Sequence, residues 1–275
     1  MQNVRTFETS YTLLLCSYQS KKTIVYFFKG RHLVKKHSML FILITVIFHS
    51  LLNAVENNFL NQFISSGDLV FDVGANIGKK TIEYLQLGAT VVCFEPQPDC
   101  ASKLRQKFSN ASVYIEEKGL ADKPGILTLT VCTSSNTIST FSDEWQLHGR
   151  FHDMGAQWNK HIQVEVVTLD AMIAQYGCPT FCKIDVENFE YEVLKGLTHP
   201  IPALSFEFAI EMLHNTKKCL NYLISLGYRK FNFALEENQQ LFFNDWVSAE
   251  QVIDTIERRS QNHSLIWGDI YAKLH

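Results

Sequence analysis

Asp72 lies near the end of an apolar run, Asp68-Leu69-Val70-Phe71-Asp72-Val73, which passes directly into Gly74-Ala75-Asn76-Ile77-Gly78. Gly74 and Gly78 have no Cβ, so the backbone can turn sharply out of a strand and let a ligand approach closely. Their spacing, Gly-x-x-x-Gly, departs from the G-x-G-x-x-G fingerprint of dinucleotide sites. A carboxylate at Asp72 would repel a pyrophosphate but attract a ligand that carries an ammonium and a sulfonium. S-adenosylmethionine carries both and has no phosphate. A second apolar run, residues 89–94, ends in Glu95, seventeen residues past Gly78. An acid there can accept hydrogen bonds from the two ribose hydroxyls of a nucleoside.

A second acidic set follows later in the chain. Residues 180–187 read as a buried strand that neighbours the first and ends in Asp185 and Glu187, with a period of two placing both on one face with Lys183. Methyl transfer from a sulfonium is an in-line displacement that depends mainly on alignment and exclusion of water. A hydroxyl nucleophile also gains from a base. Asp185 is the first candidate for that base, or for holding the hydroxyl; alternatively it caps the helix that follows. Glu187 either joins it or forms a surface pair with Lys183 or Tyr191. Glu207 sits within the apolar run 203–210, where a charge is costly unless it is paired or faces a cleft, so Glu207 and Glu211 are further candidates. No metal site is expected: Pro179 separates Cys178 from Cys182, and Gly149 interrupts the His148–His152 pair.

These residues need a scaffold of alternating strands and helices. Helices are expected at 79–87, 98–108, 170–175, 188–195 (closed by Gly196 in the C′ position), 216–226 and 249–258. Strands are expected at 112–116, 125–131, 164–169, 228–235 and 264–274, besides those already described. Residues 133–160 show no regular pattern and carry Trp145, Phe151 and Trp158. A loop of that length in a compact domain suggests a lid or binding segment. The order βαβα implies an α/β, doubly wound, Rossmann-like sheet with helices on both faces and an antiparallel closing pair of strands.

The chain resembles the FkbM-type S-adenosylmethionine-dependent methyltransferases. The resemblance rests on Asp72 to Gly78, on Phe94-Glu95-Pro96, on Gly119-Leu120-Ala121-Asp122 with Gly125, and on Lys183-Ile184-Asp185-Val186-Glu187 with Glu190 and Val193 to Gly196. It covers about residues 60–235, and Trp267 to Tyr271 is similar to the family's closing strand. It implies a class I methyltransferase fold and O-methylation of a hydroxyl on a sugar, polyketide or other small metabolite or glycan. It also implies that Asp72, Gly74, Asn76, Gly78 and Glu95 bind the cofactor and that residues 117–122, Leu120 among them, line the adenine edge. Asn188 departs from the family, which usually has glycine there.

At 275 residues and 46% hydrophobic content, the chain suits one catalytic domain, residues 59–275, behind an N-terminal extension, residues 1–58. A net charge of −3 gives no general attraction to nucleic acid. The seven cysteines read as free thiols of a reducing compartment, so the chain is expected in the cytoplasm. Residues 39–52 form an apolar run behind Lys35-Lys36-His37, shorter than the ~20 residues a membrane span needs. A helix packed on the domain or lying on a membrane surface is expected, with membrane association through residues 39–55. An NAD(P)-dependent oxidoreductase would want a first strand whose end is free of acid, and Asp72 stands there; a non-catalytic binding module would have lost Asp72, Gly74, Gly78 or Glu95, all present.

Overall fold

The computed structural model describes residues 13–18, 21–26, 59–109, 111–261 and 265–274. The chain divides into two units, Met1–Ala54 and Val55–His275. In the first, β1 (Leu13–Tyr18) and β2 (Lys21–Tyr26) form an antiparallel pair. The apolar run 39–52 lies outside the described residues. Among the described residues no helix is long and apolar enough to cross a membrane, which corrects the expectation of membrane association through residues 39–55.

The second unit is built on a seven-stranded sheet. Its strands are β3 (Leu69–Val73), β4 (Thr90–Phe94), β5 (Val113–Glu116), β9 (Phe181–Ile184), β10 (Ala203–Ala209), β11 (Lys230–Leu235) and β12 (Trp267–Lys273). Their order is β11-β12-β10-β9-β3-β4-β5, with β12 antiparallel to both its neighbours and the other pairings parallel. Parallel strands covered on both faces are apolar throughout. In β3, β4 and β9 the residues are buried almost without a break. The order reverses between β3 and β9, so the crevice beyond their carboxyl ends is where an open α/β sheet binds its ligand. Here β3 leads to α1 (Lys79–Gln86) and β4 to α2 (Pro98–Lys107). The expected closing pair is β11 with β12, joined through α7 (Ala249–Ser260).

A second, three-stranded sheet departs from the expectation of one continuous sheet. It contains β6 (Gly119–Leu120), β7 (Gly125–Cys132) and β8 (Trp158–Val167) in the order β6-β8-β7. The strand expected at 164–169 begins six residues earlier, because the whole of β7 pairs with β8 from Gly125↔Val166 to Cys132↔Trp158. The remaining irregular stretch carries the short helix α3 (Asp143–His148), started by Ser142, whose Oγ accepts the Trp145 amide. The other helices are α4 (Leu169–Tyr176), α5 (Glu190–Lys195) and α6 (Leu213–Ser225).

Glycine is required at the turn after β3 for a reason other than ligand approach. Gly74 has φ +84°, and a Cβ there would lie 1.8 Å from the Asp185 carbonyl oxygen. At Gly78 (φ +77°) it would lie 2.4 Å from the Phe108 ring. Gly196 closes its helix as expected, as the C-cap rather than C′, with φ −76°. Its Cβ would meet the Ala121 carbonyl oxygen at 2.4 Å, so packing again decides the residue. Gly74→Ala is expected to cost about 3 kcal/mol or more, combining backbone strain with a clash against main chain. Gly155→Ala, with φ +78° and nothing within 4 Å, should lose only about 1 kcal/mol. Urea unfolding midpoints of the two variants measure the difference.

Candidate active site

The turn after β3 is held by its own polar groups. Asn76 takes a left-handed φ of +48° between Gly74 and Gly78. Its Oδ1 accepts the Ile77 amide at 2.9 Å, the local bond that lets asparagine occupy this region. The amide of Asn76 donates to Glu95 Oε2 at 2.8 Å, and the amide of Gln97 to Glu95 Oε1 at 2.9 Å. Glu95 thereby ties the turn after β3 to the end of β4. It is buried, and burial pushes its carboxyl up to about 7 against these two bonds. Each oxygen keeps a lone pair for a further donor.

Asp72 lies beneath the turn rather than on its rim. It is 2% exposed, and its Oδ2 accepts the Thr81 hydroxyl at 2.6 Å. Burial pushes its carboxyl up to about 6, against that bond and the Lys183 ammonium.

Across the crevice β9 stops at Ile184, so Asp185 and Glu187 do not lie on the strand as expected. The Asp185 amide still donates to the Val73 carbonyl at 2.9 Å. The Val186 amide then turns to Glu190 Oε1 at 3.1 Å, and Glu187 and Asn188 follow with φ +56° and +68°. This double left-handed turn ends the ladder and delays the helix expected from residue 188 until Glu190. It also explains the departure at Asn188. Asparagine tolerates the conformation for which glycine is usual, and here it donates to Ser142 Oγ and accepts from Asn215 Nδ2.

Lys183 is buried and its Nζ donates to Asp185 Oδ2 at 2.9 Å and to Asp269 Oδ1 at 3.1 Å. Burial works against its charge, but the two carboxylates outweigh it and hold the ammonium well above its usual range. Neither Glu187 nor Asp185 makes the helix-capping or surface pair that formed their alternative reading. Glu187 and Glu207 are partly buried beside Asp185, and burial followed by the Asp185 charge raises both well above the usual carboxylate range. Glu211 instead pairs with Arg150, whose Nε and Nη2 donate to its two oxygens at 2.6 and 3.2 Å.

Both acidic sets open onto one cleft of about 830 Å³, within the size range of small-molecule sites. Asp72, Gly74, Asn76, Glu95, Asp185, Glu187 and Glu207 all line it. Gly78 is turned into the packing against Phe108, and Leu120 lies in the main core at 1% exposure, so neither reaches the wall. The irregular segment after β7 forms the roof. The Asn136 carbonyl accepts from Gln97 Nε2 at 3.0 Å, and the Thr140 hydroxyl donates to the Glu187 carbonyl at 2.6 Å, so the roof is tied to both walls. Trp145 and Phe151 line the cleft as expected of a binding segment, whereas the Trp158 indole donates to the Ile138 carbonyl. No pattern in the sequence singles out Gln97, Asn136 or Arg150. Their roles depend on a fold that brings segments 39 and 61 residues apart together, and no local pattern marks them.

The charges suit the ligand that Asp72 suggested. Eight acids and five bases line the cleft. Among the bases, Lys79, Lys183 and Arg150 already pair with carboxylates, and Lys107 donates to the Ile77 carbonyl. A cationic sulfonium and ammonium find attraction there, and a pyrophosphate does not.

Burying Asp72 has a consequence for stability. Its folded value of about 6 lies above the ordinary 3.8, so the folded chain holds this proton more tightly than the unfolded one. Stability from this group is present below pH 4 and is lost as pH rises to about 6. The titratable neighbours are Lys80 on α1, Lys183 on β9 with Asp185 just past it, and Glu95 and the neutral Cys93 thiol at β4. Asp72→Asn keeps an acceptor for Thr81 and removes the ionisation. It should raise the melting temperature at pH 8, with a gain of about 1–3 kcal/mol that fades toward pH 4. Melting curves across this range measure it.

Comparison with known proteins agrees with this geometry. A sequence model of the methyltransferase FkbM domain matches residues 72–230, more than half of the chain. The chain is 27% identical over 144 residues to the hexuronic acid methyltransferase AglP of Haloferax volcanii, covering 50% of this chain and 54% of that protein. It is 29% identical over 159 residues to the 31-O-demethyl-FK506 methyltransferase FkbM of Streptomyces tacrolimicus, covering 48% of this chain and 60% of that protein. The chain thus spans a little over half the length of the curated relatives it matches. The match runs from Asp72 through the turn, Glu95 and the Asp185–Glu187 loop to Glu207, so the chain belongs to the methyltransferase FkbM domain family, and its cofactor is S-adenosylmethionine.

Proposed function

We propose that this chain transfers the methyl group of S-adenosylmethionine to a hydroxyl of a small-molecule or glycan acceptor. The observation that carries the reading is the meeting of two unlike acidic sets in one cleft: Glu95 with two backbone donors on one side, and Asp185, Glu187 and Glu207 on the other. The bound cofactor supplies an electrophilic methyl on a sulfonium. Everything else falls to the chain. Glu95 accepts the ribose hydroxyls with the lone pairs that Asn76 and Gln97 leave free. Asp72, beneath the turn, contributes negative charge toward the cationic part of the ligand. The tied roof from Asn136 to Ser139 excludes water, which strengthens each of these interactions.

The acceptor hydroxyl would donate to an ionised member of the carboxylate set, which would aim an oxygen lone pair at the methyl and receive the proton as the carbon–oxygen bond forms and the carbon–sulfur bond breaks, with S-adenosylhomocysteine as the leaving group. Carboxyls raised as Glu187 and Glu207 are give, once ionised, a stronger base than an ordinary carboxylate, which suits the group that receives the proton. Asp185, fixed by Lys183, sets the position of the hydroxyl. Trp145, Phe151 and Trp267 offer aromatic surface for a ring or sugar face. The names of the two relatives, one acting on a hexuronic acid and one on a 31-O-demethyl compound, support an oxygen acceptor of this class. An acidic cleft argues against nucleic acid.

Release of S-adenosylhomocysteine over a panel of sugars, uronic acids and hydroxylated small molecules tests the reading. Glu95→Gln should weaken S-adenosylmethionine binding by about tenfold or more in calorimetry, since it removes a charged hydrogen-bond acceptor. Asp185→Asn should lower turnover by about 100-fold while leaving that binding within a few-fold of the parent. Full turnover in Asp185→Asn, or unchanged affinity in Glu95→Gln, contradicts the assignment of that residue.

A further inference from the structure

Asp185, Glu187 and Glu207 each present a carboxylate oxygen, and the three oxygens lie within 4.8 Å of one another. Asp185 comes from the end of β9, Glu187 from the left-handed turn beyond it, and Glu207 from β10, so the group is assembled by the fold. Lys183 compensates Asp185 and is shared with Asp269. Arg150 is engaged with Glu211. Among the described residues no cation pairs with Glu187 or Glu207. Three carboxylates so close cannot all ionise without a counter-charge.

A separate observation comes from Trp145. It is 3% exposed, and its Nε1–H, a group that can only donate, has no hydrogen-bond partner. It approaches the Glu187 carboxylate from the roof of the cleft without reaching hydrogen-bond geometry. A buried donor left without an acceptor is unfavourable. One event satisfies both features. If a cation took one oxygen from each acid, all three would ionise, and Glu187 would become the charged acceptor that the indole lacks. Ligating carboxylates are ordinarily held by such an outer donor.

We propose that Asp185, Glu187 and Glu207 bind one hard divalent cation of the Mg²⁺, Mn²⁺ or Ca²⁺ type, with Trp145 Nε1–H orienting Glu187. An all-oxygen set without histidine or cysteine selects this class over zinc or copper. The cation rests on the proposed methyl transfer only for its use, which is to hold the acceptor oxygen; its binding requires neither cofactor nor acceptor.

The test uses the full chain freed of metal by a chelator. Mn²⁺ is titrated in the absence of cofactor, followed by the resonance signal of free Mn²⁺ and by quenching of tryptophan fluorescence. Mg²⁺ and Ca²⁺ are added as competitors. One Mn²⁺ per chain is expected, with affinity reduced about tenfold or more in Glu187→Gln and in Glu207→Gln, and a smaller reduction in Trp145→Phe. Glu144→Gln, an exposed acid paired with His214, should leave the affinity unchanged. No binding of any of the three ions at millimolar concentration, or binding equal in both glutamine variants and the parent, overturns the proposal. Calorimetry with S-adenosylmethionine on the same sample separates the two ideas. Cofactor binding without cation binding refutes the cation site alone, and loss of cofactor binding refutes the methyl-transfer reading.

Discussion

The Asp185 amide donates to the Val73 carbonyl, and a Cβ on Gly74 would stand 1.8 Å from the Asp185 carbonyl oxygen, so β3 and β9 leave the sheet with no space between them. That contact fixes the site. Past it the two chains must diverge, one through Gly74, Asn76 and Gly78 toward Glu95, the other through Glu187 and Asn188 toward Glu190. Five left-handed residues within these two turns carry the divergence. The space between them becomes the cleft, with Glu95 and the Asp185–Glu187 loop on its opposite walls.

Charge has to be stabilised at the bottom of this cleft, because both walls are acidic and partly removed from water. Lys183 is the central device, buried between Asp185 and Asp269 and felt by Asp72 as well. A buried lysine without partners would lose its charge; this one is held ionised by carboxylates that themselves gain from it. The balance is incomplete, since Asp72, Glu95, Glu187 and Glu207 all remain above the usual carboxylate range. An acidic excess kept at a cost in stability is what a cationic ligand can exploit, and it places the functional demand on the residues that packing alone would have replaced.

Much of this was legible in the sequence where short-range chemistry decides. The run from Asp68 to Gly78 specified its strand, turn and helix, and Glu95 stood at the right distance to reach back to it. The same reasoning assigned the glycines to ligand approach, whereas both are required by packing, against Asp185 and against Phe108. The strand at 180–187 was read too long because a period of two cannot reveal that Glu190 will capture the Val186 amide. Leu120 looked like a site residue by position in a motif and is a core residue by packing. The three-stranded sheet was hidden because its pairings join residues from 26 (Cys132 with Trp158) to 47 (Gly119 with Val166) apart through an irregular connection.

The proposed function requires one cleft to hold the methyl donor against Glu95 with its sulfur toward Asp185, Glu187 and Glu207. A crystal structure of the chain with S-adenosylhomocysteine tests it most directly. The account predicts ribose hydroxyls within hydrogen-bond distance of Glu95 and the sulfur facing the three-carboxylate group beneath the roof from Asn136 to Ser139. A nucleoside bound elsewhere, or a sulfur turned away from those carboxylates with Glu95 making no contact to the ribose, would contradict it.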